Sequence, residues 1–274
     1  MLKIGGKNPT RKLSQFLYQI AIPSYKRPET LRDKTLTVLH KYRIPASAIT
    51  VFVANKKEEA QYKEILKPGT YNKIVVGVVG MGAIRNFISN YYDIGTKIVN
   101  IDDDIKGFLE YDINSPRKER PLRSLLAVMK RGFEECEKEG AHLWGVYPVA
   151  NGFFMKPKIS TDLRYIIGSF WGCINPGTKE VKITLDDKED YQRSILYYKA
   201  DNVVIRLNMV SPITSYYKEP GGMQEERTKE RVEKSAKWLV KTYPEFATLH
   251  STKKSGFMEV KLRDKRPEET ENEE

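Results

Sequence analysis

Residues 97–105 read KIVNIDDDI, a β-branched apolar run that ends on three consecutive carboxylates. Such a run lacks polar alternation, so it reads as a strand buried on both faces, the condition met in parallel sheets covered by helices. The same punctuation recurs upstream. YQIAIP (18–23), ITVFVA (49–54) and IVVGVV (74–79) read as companion strands. Between them, LRDKTLTVLHKY (31–42), the charged run 56–66 stopped by Pro68-Gly69, and AIRNFISNYY (83–92) have helical spacing. Strands alternating with helices predict βαβ units and an α/β fold, a Rossmann-type, mostly parallel sheet flanked by helices. Ligands of such sheets bind beyond the carboxyl ends of the strands, which directs attention to the loops after Ile22, Val53, Val79 and Ile101.

Downstream of Asp104 the pattern changes. Residues 121–139 read as one helix ended by Gly140. The segments HLWGVYP, NGFFMKP and YIIGSFWGCINP, within 142–175, are short and broken by Gly and Pro, and predict mixed or antiparallel strands. A helix over 185–198, a strand over 203–207 and an amphipathic helix over 223–242 complete this mixed half. Neither a repeat nor a linker divides the chain. One domain is expected over 1–267, with a nucleotide-binding half (18–110) and an acceptor half (111–267), followed by an acidic, disordered tail at 268–274.

The 274 residues are 40% hydrophobic and 30% charged, enough to bury a core and too apolar for a disordered chain. No stretch has the roughly 18–20 consecutive apolar residues of a membrane span. The opening residues show neither an apolar core nor a small-residue cleavage site, so a cytoplasmic protein with Cys136 and Cys173 reduced is expected. The net charge of +11 hides an asymmetry, because EETENEE at 268–274 carries five Glu and no Lys or Arg. The remainder is therefore +16, which favours a polyanionic partner, nucleic acid before an acidic membrane surface.

Three adjacent carboxylates at a strand tip repel one another and call for a counter-charge. A hard divalent cation such as Mn²⁺ or Mg²⁺ supplies it and bridges to a diphosphate. Asp104 is the first metal candidate, with Asp102 beside it reaching metal-bound water or ribose, and Asp103 directed to the other face. A solvated acidic turn is the competing reading. Around this tip, IPSYKRPET offers Ser24, Tyr25, Lys26 and Arg27 on a loop stiffened by Pro23 and Pro28, with Thr30 placed to cap the next helix. Asn55 ends the second strand and is placed to bond a base edge. In VGMGAIRN, Gly80 and Gly82 allow close backbone approach, and Arg85 and Asn86 lie in the first turn of a helix, a setting suited to a diphosphate or sugar hydroxyls. Ordinary turn chemistry explains any one of these loops. Their placement at successive strand ends favours a ligand.

The IPSYKRP loop, the GxGxxRN segment and the strand-borne DDD together resemble GT-A-fold, nucleotide-sugar-dependent glycosyltransferases, with DDD standing where those enzymes carry DxD. The closer resemblance is to the phage TET-associated glycosyltransferases, which attach sugars to hydroxymethylated pyrimidines in DNA. It is specific over residues 18–110 and looser beyond. It implies a UDP-sugar donor, Mn²⁺ or Mg²⁺, and double-stranded DNA as acceptor. On this resemblance Pro23, Ser24, Tyr25, Arg27, Asn55, Gly82, Arg85, Asp102 and Asp103 bind the donor, and Asp104, Asp102 and His250 hold metal. Lys253 and Lys254 reach the diphosphate. LDDKEDYQRS (185–194) resembles the segment that supplies the base in inverting members, with Asp190 first and Asp187 second. The alternative for these acidic residues is helix capping.

Trp171, with Phe170 beside it, is the candidate for stacking on a sugar or an extruded base, although core packing is expected for most of these aromatics. Arg227, Arg231 and Lys234 share a helix face suited to DNA phosphates. Glucose is the expected sugar and arabinose the alternative. A glycosyltransferase for another acceptor, a nucleotidyltransferase and a non-catalytic DNA-binding module are the rival functions.

Overall fold

A computed structural model describes residues 17–214, 228–250 and 257–266. Its centre is an eight-stranded sheet. The strands are β1 (Gln19–Pro23), β2 (Ile49–Val53), β3 (Lys73–Val76), β4 (Lys97–Ile101), β7 (Leu143–Val146), β8 (Ile159–Ser160), β9 (Phe170–Ile174) and β10 (Ile205–Leu207), in the order β3-β2-β1-β4-β9-β7-β10-β8. The first four are parallel, with Ile20 opposite Ile49 and Val99. β9 runs antiparallel to both β4 and β7, β10 is parallel to β7, and β8 is antiparallel to β10. The expected architecture is what the chain adopts: a mostly parallel α/β sheet with a mixed second half.

Helices cover both faces. Pro28–Leu31 (α1), a π-turn at Arg32–Leu36 and Thr37–Lys41 (α2) form one nearly continuous helical stretch. α3 (Lys56–Ile65), α4 (Met81–Tyr91), α5 (Leu125–Glu139), α6 (Glu189–Asp201) and α7 (Lys229–Thr242) follow. Side chains alternate along each strand and so feed two cores. Ile20, Ile22, Val51, Val53, Val99 and Ile101 pack on one side with Met129 and Phe133 of α5. Ala21, Phe52 and Ile98 pack on the other with Ile84 and Ile88 of α4 and Ile195 of α6. Ser124 caps α5 by accepting the Ala127 N–H, and Gly140 closes it in the left-handed conformation.

Several boundaries differ from expectation, among them the helix expected over 121–139, which begins at Leu125 after a strand at Glu119–Pro121. The strand expected over 74–79 ends at Val76, leaving residues 77–80 to shape a loop before α4. The helix expected from 185 begins at Glu189, because residues 183–186 are held by side chains of Asn86, Gln192 and α4's own N-terminus instead. Two small sheets had no sequence signal. β5 (Gly107–Tyr111), β6 (Glu119–Pro121) and β11 (Val210–Ile213) make one, ordered β11-β5-β6. β12 (Ala247–His250) and β13 (Glu259–Leu262) make a two-stranded sheet. No described helix is long and apolar enough to cross a membrane.

Candidate active site

A cavity open to solvent lies at the carboxyl ends of β1 to β4. All four strand-end loops contribute to its wall: Pro23, Ser24, Tyr25 and Arg27 after β1, Val53 and Ala54 at the end of β2, Val78, Val79, Gly80 and Met81 after β3, and Asp102 and Asp103 after β4. The lining combines apolar side chains with two carboxylates and a guanidinium.

The polar lining is braced from behind. Asp103 is buried; its carboxylate accepts from Ser24 Oγ (2.6 Å) and lies 2.7 Å from Arg27 Nη2. Burial pushes the Asp103 carboxyl up to about 7, against the opposing pull of Arg27 and Ser24. Arg27 loses some basicity to burial, but the three carboxylates of the tip more than restore it. Tyr62 of α3 shares its hydroxyl with Ser24 Oγ (2.7 Å) and accepts the Arg27 N–H (3.1 Å). Glu58 accepts from the backbones of Lys26 and Ala54, tying the first two loops together. Thr35 Oγ1 donates to the Asp102 carbonyl (2.6 Å) and accepts the Ile105 N–H, which pins the DDD turn. Tyr62, Glu58 and Thr35 were missed by sequence reasoning. Each lies on a helix whose spacing marks only a buried face.

Asp102 faces the cavity with one oxygen on Arg85 Nη2 at 2.9 Å. Arg85 is fully enclosed. It also donates to the Gly168 carbonyl (3.0 Å) and lies 3.5 Å from Glu189 at the start of α6. Burial raises the carboxyl pKa of both Asp102 and Glu189, opposed at Asp102 by Arg85 and at Glu189 by Arg193 and then Arg85. Arg85 is therefore not among the residues that line the cavity, contrary to the expected contact with a diphosphate or donor sugar. It fixes Asp102 and links it to α6.

Several other expectations are corrected by the geometry. Gly82 does make a close approach, but to its own chain: a Cβ there would lie 2.4 Å from the Leu185 carbonyl. The N-terminus of α4 is occupied by Asp186, which accepts the Gly82 N–H at 2.9 Å, in the place foreseen for a diphosphate. Asn55 caps α3 through the Glu58 N–H and is not part of the cavity wall, whereas its neighbour Ala54 is. Thr30 lies inside α1, whose N-cap is Arg27. Phe170 is wholly buried against Phe108 and Trp144, and Trp171 is buried with the Arg193 guanidinium 4.0 Å from its ring centre, so neither forms an open acceptor surface. Arg231 binds Asp187 at 3.1 Å, which engages both a predicted phosphate contact and the second-choice base.

Asp190, the first-choice base, stands in the first turn of α6. It accepts from Tyr165 Oη at 2.6 Å and lies beside Gly168, the residue whose carbonyl Arg85 holds. His250 is exposed at the end of β12, opposite Glu259. Lys234 is exposed on α7. Lys253, Lys254 and Arg227 lie outside the described residues.

Among the described residues no three His, Cys, Asp or Glu side chains converge as a metal cage. The tip carboxylates fall otherwise than alternation predicts: Asp102 and Asp103 line the cavity, whereas Asp104 is buried beside it, 4.0 Å from Arg27 Nη1, and is not among the lining residues. With Asp103 held by Ser24 and Arg27, the donor set that remains is Asp102 on the wall, with Asp104 next to it. One or two carboxylates completed by phosphate oxygens is the way Mg²⁺ is ordinarily held at nucleotide sites. The residues present fit a divalent ion in that manner only.

No family model matches the chain, and no curated protein matches it. Among solved structures it is similar to glucosyl-3-phosphoglycerate synthase from Mycobacterium tuberculosis in complex with Mn²⁺, UDP and glucosyl-3-phosphoglycerate (10% identity over 90% of this chain and 87% of that one, TM-score 0.48). It is similar also to a mycobacterial protein (8%, 90% and 83%, TM-score 0.46) and to a galactosyltransferase in complex with donor and acceptor sugar analogs (10%, 73% and 88%, TM-score 0.41). Likenesses this distant carry no weight for the chemistry, which rests on the chain's own residues.

Proposed function

We propose that the chain is a metal-dependent GT-A-type glycosyltransferase that takes its sugar from a UDP-sugar. The observation that carries this reading is the cavity into which all four strand-end loops converge, with Asp102 at its rim and Arg27 behind it. The apolar lining of Val78, Val79 and Met81, together with Tyr25, suits a planar base. Asp102 and Asp104 would hold a divalent ion, which when bound supplies Lewis-acid stabilisation of the departing diphosphate. Arg27 adds fixed positive charge to the same cavity.

In the transfer, the bond between the anomeric carbon and the diphosphate oxygen breaks, and a bond from that carbon to the acceptor oxygen forms. Asp190 takes the proton that the acceptor hydroxyl loses. Tyr165 holds the Asp190 carboxylate in place, and Arg85 ties the Gly168 segment beside this base to Asp102. Asp187 is the weaker choice because Arg231 occupies it.

The finer reading is transfer of glucose to 5-hydroxymethylcytosine, or to its glycosylated form, in DNA. It is supported by the +16 charge outside the tail and by the resemblance of the IPSYKRP, GxGxxRN and DDD segments. The test is mass spectrometry of nucleosides from hydroxymethylated and glucosylated DNA after incubation with Mn²⁺ and a panel of UDP-sugars. A hexose mass gain on one acceptor is expected. Donor turnover without any DNA product would keep the glycosyltransferase and discard the acceptor. Consumption of a nucleoside triphosphate instead would discard both.

A further inference from the structure

The loop between β7 and β8 carries the most conspicuous unpartnered aromatics of the described residues. Phe153 and Phe154 are 61% and 57% exposed, and Val149 beside them is exposed too. Nothing about this loop suggests a frayed turn. Gly152 packs so tightly on the β5–β6 hairpin that a Cβ would come within 2.4 Å of the carbonyls of Arg117 and Lys118, and its N–H donates to Glu119. Asn151 accepts the N–H groups of Phe153, Phe154 and Met155. Two rings are thus presented to solvent on a braced support, which costs burial free energy unless something covers them.

The surroundings specify what covers them. Arg117, Lys118, Lys156 and Lys158 are exposed on the same two packed loops. Among the described residues Lys118, Lys156 and Lys158 pair with no carboxylate, and Arg117 has only Glu119, at 3.3 Å. Flat rings flanked by exposed cations are the arrangement that stacks bases and tracks phosphates. Topology adds the position. β7 points the same way as β4, because β9 is antiparallel to both, so this loop leaves the sheet at the edge where Asp102 stands.

We propose that Phe153 and Phe154, with Arg117, Lys118, Lys156 and Lys158, form the surface that binds a nucleic-acid strand, its bases stacking on the two rings. This deepens the acceptor reading given above and rests on it for the identity of the strand as the DNA substrate. It replaces the role first given to Trp171 and Phe170, which are sealed in the core, and to Arg231, which is engaged by Asp187.

The test is fluorescence anisotropy of the full chain with labelled hydroxymethylcytosine oligonucleotides, single-stranded and with the base unpaired in a duplex, between 50 and 200 mM salt. The Phe153→Leu, Phe154→Leu pair should weaken binding by roughly ten-fold or more, and the Tyr pair should restore most of it, since tyrosine stacks and leucine does not. Lys156→Gln and Lys158→Gln should each lower the salt slope by about one. Wild-type affinity and slope in all these variants would overturn the proposal. So would loss of binding to phosphatidylserine vesicles in the lysine variants with retention in the leucine pair and no change on DNA, because membrane insertion needs apolar bulk rather than flat rings. Strand binding through this surface without sugar transfer would leave the surface standing and remove the acceptor reading. Transfer to DNA with an unaltered acceptor KM in every variant would do the reverse.

Discussion

At the ends of β1 to β4, polar side chains look into an open cavity, whereas at the start of β9, on the same edge of the sheet, Phe170 and Trp171 are closed off by neighbouring rings and guanidinium groups. The residue types alone do not separate these regions, since both combine aromatics, glycines and charge. Local topology does. A loop that follows a parallel central strand must leave at the ligand edge, and its polar residues have nowhere else to go. β9 instead runs antiparallel between β4 and β7 with covered faces, so whatever aromatic it carries is packed from both sides.

Removing Phe170 is the sharpest way to break this comparison. Phe170→Ala should cost about 3–5 kcal/mol in urea denaturation, as a core truncation does. A variant of normal stability with a raised acceptor KM would return Phe170 to the acceptor site. A smaller loss, about 1–3 kcal/mol by the same measurement, is expected for Arg27→Ala, because Asp103, already raised to about 7 by burial, takes up a proton when its cation is removed and leaves unpaired polar groups rather than a bare charge.

The pH response is subtler. The folded-state pKa of Asp103 is raised to about 7, so the folded form holds its proton more tightly than the unfolded chain does. Stability of the ligand-free protein should therefore fall as pH rises from about 4 through about 7, and Asp103→Asn should flatten that part of the profile. An unchanged slope in the variant would place the titration elsewhere. The smallest effect belongs to Asn55. Its replacement by Ala should lose about 1 kcal/mol of stability through the α3 cap while UDP affinity stays at the wild-type level. A selective loss of UDP affinity would restore its role at the base.

Much of the strand-end cavity was legible in the sequence. The four strands, the four loops to inspect and the cavity-facing placement of Ser24, Tyr25, Arg27 and Asp102 follow from apolar runs punctuated by polar turns. What lay hidden was partnership. Nothing in GMGAIRN shows that Asp186, a hundred residues away, would occupy the helix N-terminus, or that Gly82 makes room for Leu185 rather than for a phosphate. Arg85 has the right chemistry for a diphosphate, and only its burial between Asp102 and Glu189 reveals that it positions another residue. In the second half of the chain, the sequence reads as mixed strands over 142–175, but exposure of Phe153 and burial of Trp171 depend on contacts that no periodicity records.

Calorimetric titration of UDP into the protein, with and without Mn²⁺, for wild type and Asp102→Asn, tests the central claim most directly. Wild type should bind UDP far more tightly with Mn²⁺ than in chelator, and Asp102→Asn should lose about 10²–10³-fold of the metal-dependent affinity, the scale of one well-placed electrostatic contact. Equal binding in chelator, or a variant that responds to Mn²⁺ as wild type does, would contradict a metal-bridged nucleotide at this strand tip.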